Sequence, residues 1–190
     1  MTAQLVSLDG NILLWFQDYI RTPVLTPIMK VLSWMADGGI CWIVLTLVLL
    51  LFAKTRRTGF CNALALLLSL LICNILLKNL VARVRPYEVV EGLSSLVGPM
   101  HDLSFPSGHS STSFASATAI TLSMSRENRR RWSVLLYVLA VLICISRLYV
   151  GVHYPTDVLA GAAIGIFCGV CGAKAGLTLA ERIPWVRGPL

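Results

Sequence analysis

Five apolar runs, at about 39–53, 58–80, 107–125, 131–148 and 155–178, take up most of this 190-residue chain and decide what it can fold into. A helix needs ~20 residues to cross a ~30 Å hydrocarbon core. In lipid every backbone N–H and C=O must be bonded within the structure, so runs of this length are helices. The expected fold class is all-α: a polytopic transmembrane helix bundle with about five spanning helices. The run at 39–53 is short and needs its flanks to cross. Composition agrees, with 56% hydrophobic and 13% charged residues and a mean hydropathy of +0.76, against ~25% charged in soluble domains. Too little polar sequence lies outside the runs for a second, water-soluble domain.

Residues 1–36 are expected to form N-terminal amphipathic or partly inserted helices, and 37–190 the membrane-embedded bundle, in what is a single domain overall. Ile12 to Ile20 mixes Trp15, Phe16 and Tyr19 with Gln17 and Asp18, the pattern of an interfacial helix. Pro23 to Met35 reads as a second one, stopped at Asp37-Gly38-Gly39. Met1 to Gly10 has no basic flank and no small-residue cleavage site, so the chain is expected to be inserted whole. The six cysteines all lie inside apolar runs, which argues against a disulfide framework; Cys168 and Cys171 read as small buried helix residues.

The 16 Lys and Arg against 9 Asp and Glu give +7, and most of the excess sits in short connections. That pattern reflects topology, not a nucleic-acid surface. Lys54, Arg56 and Arg57 fall in one connection, Arg126, Arg129, Arg130 and Arg131 in another, and Arg182 and Arg187 at the C-terminal end. If every run spans, these places share one face, expected to be cytoplasmic. The segments around 78–109 and 146–157 then share the extracytoplasmic face.

Three polar blocks converge there: Lys78 with Arg85-Pro86, Pro106-Ser107-Gly108-His109, and Ser146-Arg147 followed by His153 and Asp157. Ionisable residues at membrane depth are costly and usually functional, and three cations gathered without nearby acids require an anion. Phosphate fits: guanidinium groups match its oxygens bidentately, and Lys78 adds a point charge. Ser107 at a helix N-cap and the Gly108 backbone can present N–H groups to the same oxygens. His109, in the first turn, can protonate a departing oxygen. Asp157, in the first turn after Pro155, can hold one nitrogen of His153 and leave the other free to attack phosphorus. Arg83 reads as a substrate contact or a side chain snorkelling to the interface. His101 and Asp102 stand outside these blocks. The connection 87–105 reads as an interfacial lip admitting lipid.

These blocks form K-x6-R-P, P-S-G-H and S-R-x5-H-x3-D, and the chain thereby resembles the type 2 phosphatidic acid phosphatase family at every signature position. The resemblance implies a helical membrane phosphatase that uses no metal and no other cofactor. In it Lys78, Arg85, Ser107, Gly108 and Arg147 bind phosphate, His153 forms a phosphohistidine, Asp157 orients it and His109 is the general acid. The expected substrate and partner is a membrane lipid phosphate or diphosphate within the bilayer. Undecaprenyl diphosphate is preferred over phosphatidylglycerophosphate or phosphatidic acid because no soluble domain is present to recognise a headgroup. The expected location is the inner (cytoplasmic) cell membrane, with the site facing out. A lipid-phosphate transporter or flippase is the alternative of another class, and no residue marks the midplane path it would need. Gly161, Gly165 and Gly169 form a smooth stripe that can pack neighbouring helices or mediate a homodimer.

Overall fold

A computed structural model describes the backbone of residues 3–187 and the side chains of 7–127 and 129–186. Met1, Thr2 and the Arg187 side chain, part of the expectations above, lie outside the described residues. The fold is an all-helical membrane bundle. Its helices are α1 (Ala3–Trp15), α2 (Leu25–Met35), α3 (Ile40–Leu51), α4 (Arg56–Ser69), α5 (Lys78–Val81), α6 (Pro86–Val89), α7 (Gly108–Ser123), α8 (Arg126–Tyr149), α9 (Pro155–Ala180) and α10 (Pro184–Arg187). A π-helical stretch, Leu70–Leu77, joins α4 to α5 and makes one continuous rod.

Among the described residues three stretches, Arg56–Val89, Arg129–Tyr149 and Pro155–Ala180, are long and apolar enough to cross a membrane. The pair α2 and α3, bent by 48° at Asp37–Gly39, passes the same test jointly. The bend sits where Gly38 and Gly39 take positive φ (57° and 73°), which ends one helix and starts the next in a new direction. The fifth expected span, α7, is 16 residues long and rich in Ser and Thr, so it does not qualify by length and hydropathy. Its position explains the difference: α7 contacts α3, α4, α8 and α9, so its hydroxyls face protein and not lipid.

Those hydroxyls are largely paired. The Trp42 indole N–H donates to Ser113 Oγ (2.9 Å), the Ser69 and Ser111 hydroxyls lie 2.7 Å apart, and Thr118 Oγ1 lies 3.0 Å from Tyr137 Oη. The glycine stripe of α9 is spent on the same packing. A Cβ on Gly161 would lie 2.5 Å from the Ser107 carbonyl oxygen, and those of Gly172 and Gly176 would strike α4 at Ala65 and Cys61. The stripe therefore lets α9 approach α7 and α4 within one chain, and is not presented to a second copy.

The connection after α6 folds back over the end of the bundle. Leu93 packs with Leu13 and Tyr154, while Leu96, Val97 and Met100 pack on Tyr149, Val150 and Val152. The Leu96 N–H donates to the Val150 carbonyl, and Arg21 donates to the Tyr149 and Ser94 carbonyls. Much of the expected lip is thus pinned by the link between α8 and α9 and by the N-terminal helices, although Val89 stays exposed.

Candidate active site

Each signature residue sits at an element end on one face of the bundle. Lys78 starts α5, Arg85 lies in the extended link before Pro86, and Arg147 is in the last turn of α8. His109 is in the first turn of α7, and His153 and Asp157 flank the start of α9. Pro155 suits that start, since its missing N–H would be unbonded there anyway. Lys78, Arg85, Gly108, His109, Arg147 and His153 all line one cavity of about 480 Å³.

The cations are not free of acids, which corrects the sequence expectation. Asp102 bridges two of them: Lys78 Nζ pairs with Oδ2, and Arg85 Nη2 with Oδ1 at 2.5 Å. Burial pushes the Asp102 carboxyl up, but Lys78 and Arg85 outweigh it and hold it down to about 2. Arg85 is further committed through Nε to the Asp102 carbonyl (2.9 Å) and Nη1 to the Val152 carbonyl (2.7 Å). Arg147 differs. Its Nη1 donates to Ser33 Oγ, but its buried Nε and Nη2 have no hydrogen-bond partner among the described residues. Buried donors left open cost several kcal/mol unless a ligand meets them (~1–3 kcal/mol even for a neutral group), so the cavity is built for an acceptor.

His153 is 1% exposed, and its Nε2 lies 3.4 Å from Arg85 Nη1. A guanidinium can only donate, so Nε2 holds a lone pair and the proton sits on Nδ1. Nδ1 lies 3.6 Å from Asp157 Oδ2, just beyond hydrogen-bond reach. Burial lowers the His153 pKa to about 4, with Asp157 opposing the shift and Arg85 and Arg147 reinforcing it. The imidazole is therefore neutral at physiological pH, with Nε2 available toward the cations.

His109 Nε2 lies 3.2 Å from the Ser33 carbonyl and 3.8 Å from Asp37 Oδ1. Asp37, Asn74 and Asp102 are cavity-lining residues that the sequence reading did not select. Ser107 does not reach the cavity wall as expected. It is fully buried, its Oγ accepts from the Ser110 N–H (3.4 Å), and its own N–H donates to the Asp157 carbonyl (3.0 Å). It acts as a helix cap and as a tie between α7 and α9. The Ser110 and Ser111 N–H groups are taken up by Ser107, so the first-turn donors left for an anion belong to Gly108 and His109.

Arg83 takes neither expected role. It does not line the cavity; its guanidinium lies 3.6 Å over the Tyr154 ring and pairs with Asp157 Oδ1 (2.6 Å) and Asp9 Oδ2 (2.8 Å). His101 is exposed, while its neighbour Asp102 reaches the cations. The one cue to Asp9 in the sequence is an acid placed inside the apolar pattern of α1; nothing near Ser33 or Asn74 distinguishes them.

The family model described as PAP2 superfamily matches residues 58–178, which include every signature position. The chain belongs to the PAP2 superfamily. It is a membrane-embedded member of this lipid phosphatase family. It is 34% identical over 125 residues to an undecaprenyl-diphosphatase of Sulfolobus acidocaldarius, an alignment covering 65% of this chain and 58% of that protein. With a lipid A 4'-phosphatase of Bacteroides thetaiotaomicron it shares 30% identity, over 89% of this chain and 77% of the relative. Among solved structures, the first transmembrane PAP2 type phosphatidylglycerolphosphate phosphatase from Bacillus subtilis superposes with a TM-score of 0.73 at 27% identity, covering 96% of this chain and 89% of that one.

Proposed function

We propose that the protein hydrolyses a phosphate from a lipid diphosphate or phosphomonoester, with undecaprenyl diphosphate to undecaprenyl phosphate as the leading reaction. The observation that carries this reading is the pairing of an unprotonated His153 Nε2 with the open donors of Arg147 across one cavity. Nε2 attacks phosphorus, the bond from phosphorus to the lipid oxygen breaks, and His109, protonated with the anionic phosphate bound beside it, gives its proton to that oxygen. Water then attacks the phosphohistidine, His109 takes its proton, the P–N bond breaks and inorganic phosphate leaves. Asp157 steadies the imidazolium-like ring while Nε2 is bonded to phosphorus. Lys78, Arg85 and Arg147 neutralise the charge on the phosphoryl oxygens in the transition state. Asp102 must yield two of these cations when phosphate enters.

The charge a metal would supply is already present in three side chains, and among the described residues no group of three or more His, Cys, Asp or Glu is assembled to hold one. Phosphate release from a panel of diphosphate and monophosphate lipids, in detergent with EDTA, tests the proposal. Turnover should persist; its complete loss, restored by a divalent ion, would sink the mechanism. Phosphatidylglycerophosphate is the second reading, favoured by the Bacillus subtilis neighbour, and phosphatidic acid belongs to the same panel.

The site faces the outside of the cytoplasmic membrane in this reading. Arg57 reaches the Leu177 carbonyl and Glu181, and Arg56 stacks on Trp185, so the basic 54–57 connection and the C-terminal end share a face. The cavity lies at the far ends of these helices. A membrane-impermeant thiol label should reach a cysteine at Ser95 from outside, and one at Arg130 only from the cytoplasm. The reverse pattern would invert the site and break the positive-inside argument.

A further inference from the structure

We infer that Arg83 and Asp9 form a positioning pair that holds Asp157 in register with His153, so that the N-terminal helix completes the active site without touching substrate. The inference rests on the hydrolase reading above. Asp157 is fully buried, and such a carboxylate stays ionised only if charge and hydrogen bonds compensate it. Arg83 Nη1 provides the charge at Oδ1 (2.6 Å). Oδ2 is left to the Ser104 hydroxyl (2.5 Å), the Tyr154 N–H (3.0 Å) and His153 Nδ1 (3.6 Å). The division of labour between the two oxygens is what orients the histidine.

Asp9 fixes Arg83 in turn. Its Oδ2 accepts from Arg83 Nη2 (2.8 Å) and from the Thr156 hydroxyl, and its Oδ1 accepts from the Thr156 N–H (3.4 Å). The Arg83 and Asp9 side chains are only 9% and 3% exposed. One planar guanidinium fork spans both carboxylates, a geometry that an ammonium cannot reproduce. The Arg83 carbonyl also accepts the Ser104 N–H (2.8 Å), so the loop supplying the Ser104 hydroxyl is anchored at the same point. Neither Arg83 nor Asp9 lines the cavity, and Asp9 lies outside the 58–178 family match.

The test uses the full-length protein in detergent, a lipid diphosphate substrate, and inorganic phosphate as inhibitor. Arg83→Gln should lower kcat by about 10- to 100-fold, the usual cost of removing a partner behind a site ligand. KM and the phosphate inhibition constant should stay within about twofold, because the phosphate-binding cations are untouched. Arg83→Lys should recover little, and Asp9→Asn should lose about tenfold in kcat. In an Asp157→Asn background, Arg83→Gln should cost almost nothing more, since the two act as a unit. A merely structural role would multiply the losses and would overturn the inference, as would wild-type kcat in Arg83→Gln or a rise in KM alone. If Arg83→Gln does not fold, Asp9→Asn, which preserves shape, carries the same criteria. An inactive wild type sinks the hydrolase reading and this inference with it, whereas an active wild type with unaffected Arg83 and Asp9 variants sinks only the inference.

Discussion

The bundle holds two polar regions, and they are built on opposite rules. Along α7 the polar groups are neutral hydroxyls, most of them closed on a partner: Ser111 on Ser69, Ser113 on Trp42, Thr118 on Tyr137. At the cavity most of the groups are ionisable, and three atoms are left open: Arg147 Nε and Nη2, and the neutral amide oxygen of Asn74. The interior has exceptions, the Ser116 and Thr121 hydroxyls and one oxygen of Asn62, but these are neutral and cost far less than an unpaired guanidinium. Closed polarity packs a helix that cannot face lipid. Open polarity waits for a ligand, and the difference between the two regions is a difference in what each mutation should do.

The cavity region should respond in activity. His153→Ala should abolish turnover and any phosphoenzyme trapped by acid quench; label found on His109, or still formed in His153→Ala, would break the assignment. Because burial lowers His153 to about 4, the neutral nucleophile persists down to that pH, so the acid limb of kcat/KM set by this group should lie near pH 4 and not near its ordinary ~6.5. His109→Ala should slow phosphoenzyme formation by roughly 10²- to 10⁴-fold for a lipid alkoxide, and by less for a diphosphate, whose leaving group needs less protonation. Arg147→Lys should still cost about 10²-fold, since one ammonium cannot replace both open guanidinium donors. Wild-type turnover in that variant would remove Arg147 from the site.

How much of this contrast the sequence displayed depends on how each residue finds its partners. Apolar run lengths placed the ends of α9 closely (155–178 against Pro155–Ala180), but the start of α8 was set late because the arginines from Arg126 to Arg131 read as a connection and are helical. The cavity residues were legible because fixed spacings carry them to element ends on one face. Asp9 and Ser33 were not, since their bonds to Thr156 and Arg147 span 147 and 114 residues and depend on tertiary packing alone. Asp102 escaped because a half-exposed acid in a loop looks like ordinary surface until two cations are seen beside it. The Ser and Thr content of α7 fits its central placement, whereas the π-helical stretch that leads into Lys78 has no mark in its Leu- and Ile-rich sequence.

Asp102 offers a smaller and more discriminating effect. Its carboxylate occupies Lys78 and Arg85 in the absence of phosphate, so Asp102→Asn should release the Lys78 ammonium and Arg85 Nη2 from their anion and lower KM and the phosphate inhibition constant by a few-fold, with kcat little changed. The carboxyl is half exposed, so solvent screening limits the gain. A rise in KM would mean instead that Asp102 arranges the cations for substrate, moving it from competitor to part of the binding site.

The smallest effect on activity belongs to the closed region. Ser113→Ala removes the acceptor of the Trp42 indole N–H, and both residues are buried, Trp42 at 1% exposed and Ser113 at 0%. An orphaned buried donor costs ~1–3 kcal/mol in a soluble core, but interhelical hydrogen bonds within membranes average nearer ~0.6 kcal/mol because the unfolded chain also finds partners. The variant should therefore lose on the order of 1 kcal/mol of stability in detergent, read as a lower Tm, and keep kcat/KM within about twofold. The site should not feel the change, since Ser113 lies more than a helical turn along α7 from His109 and does not line the cavity. A large loss of activity at unchanged Tm would show that the α7 hydroxyls take part in the chemistry, and the two regions would then have to be treated as one.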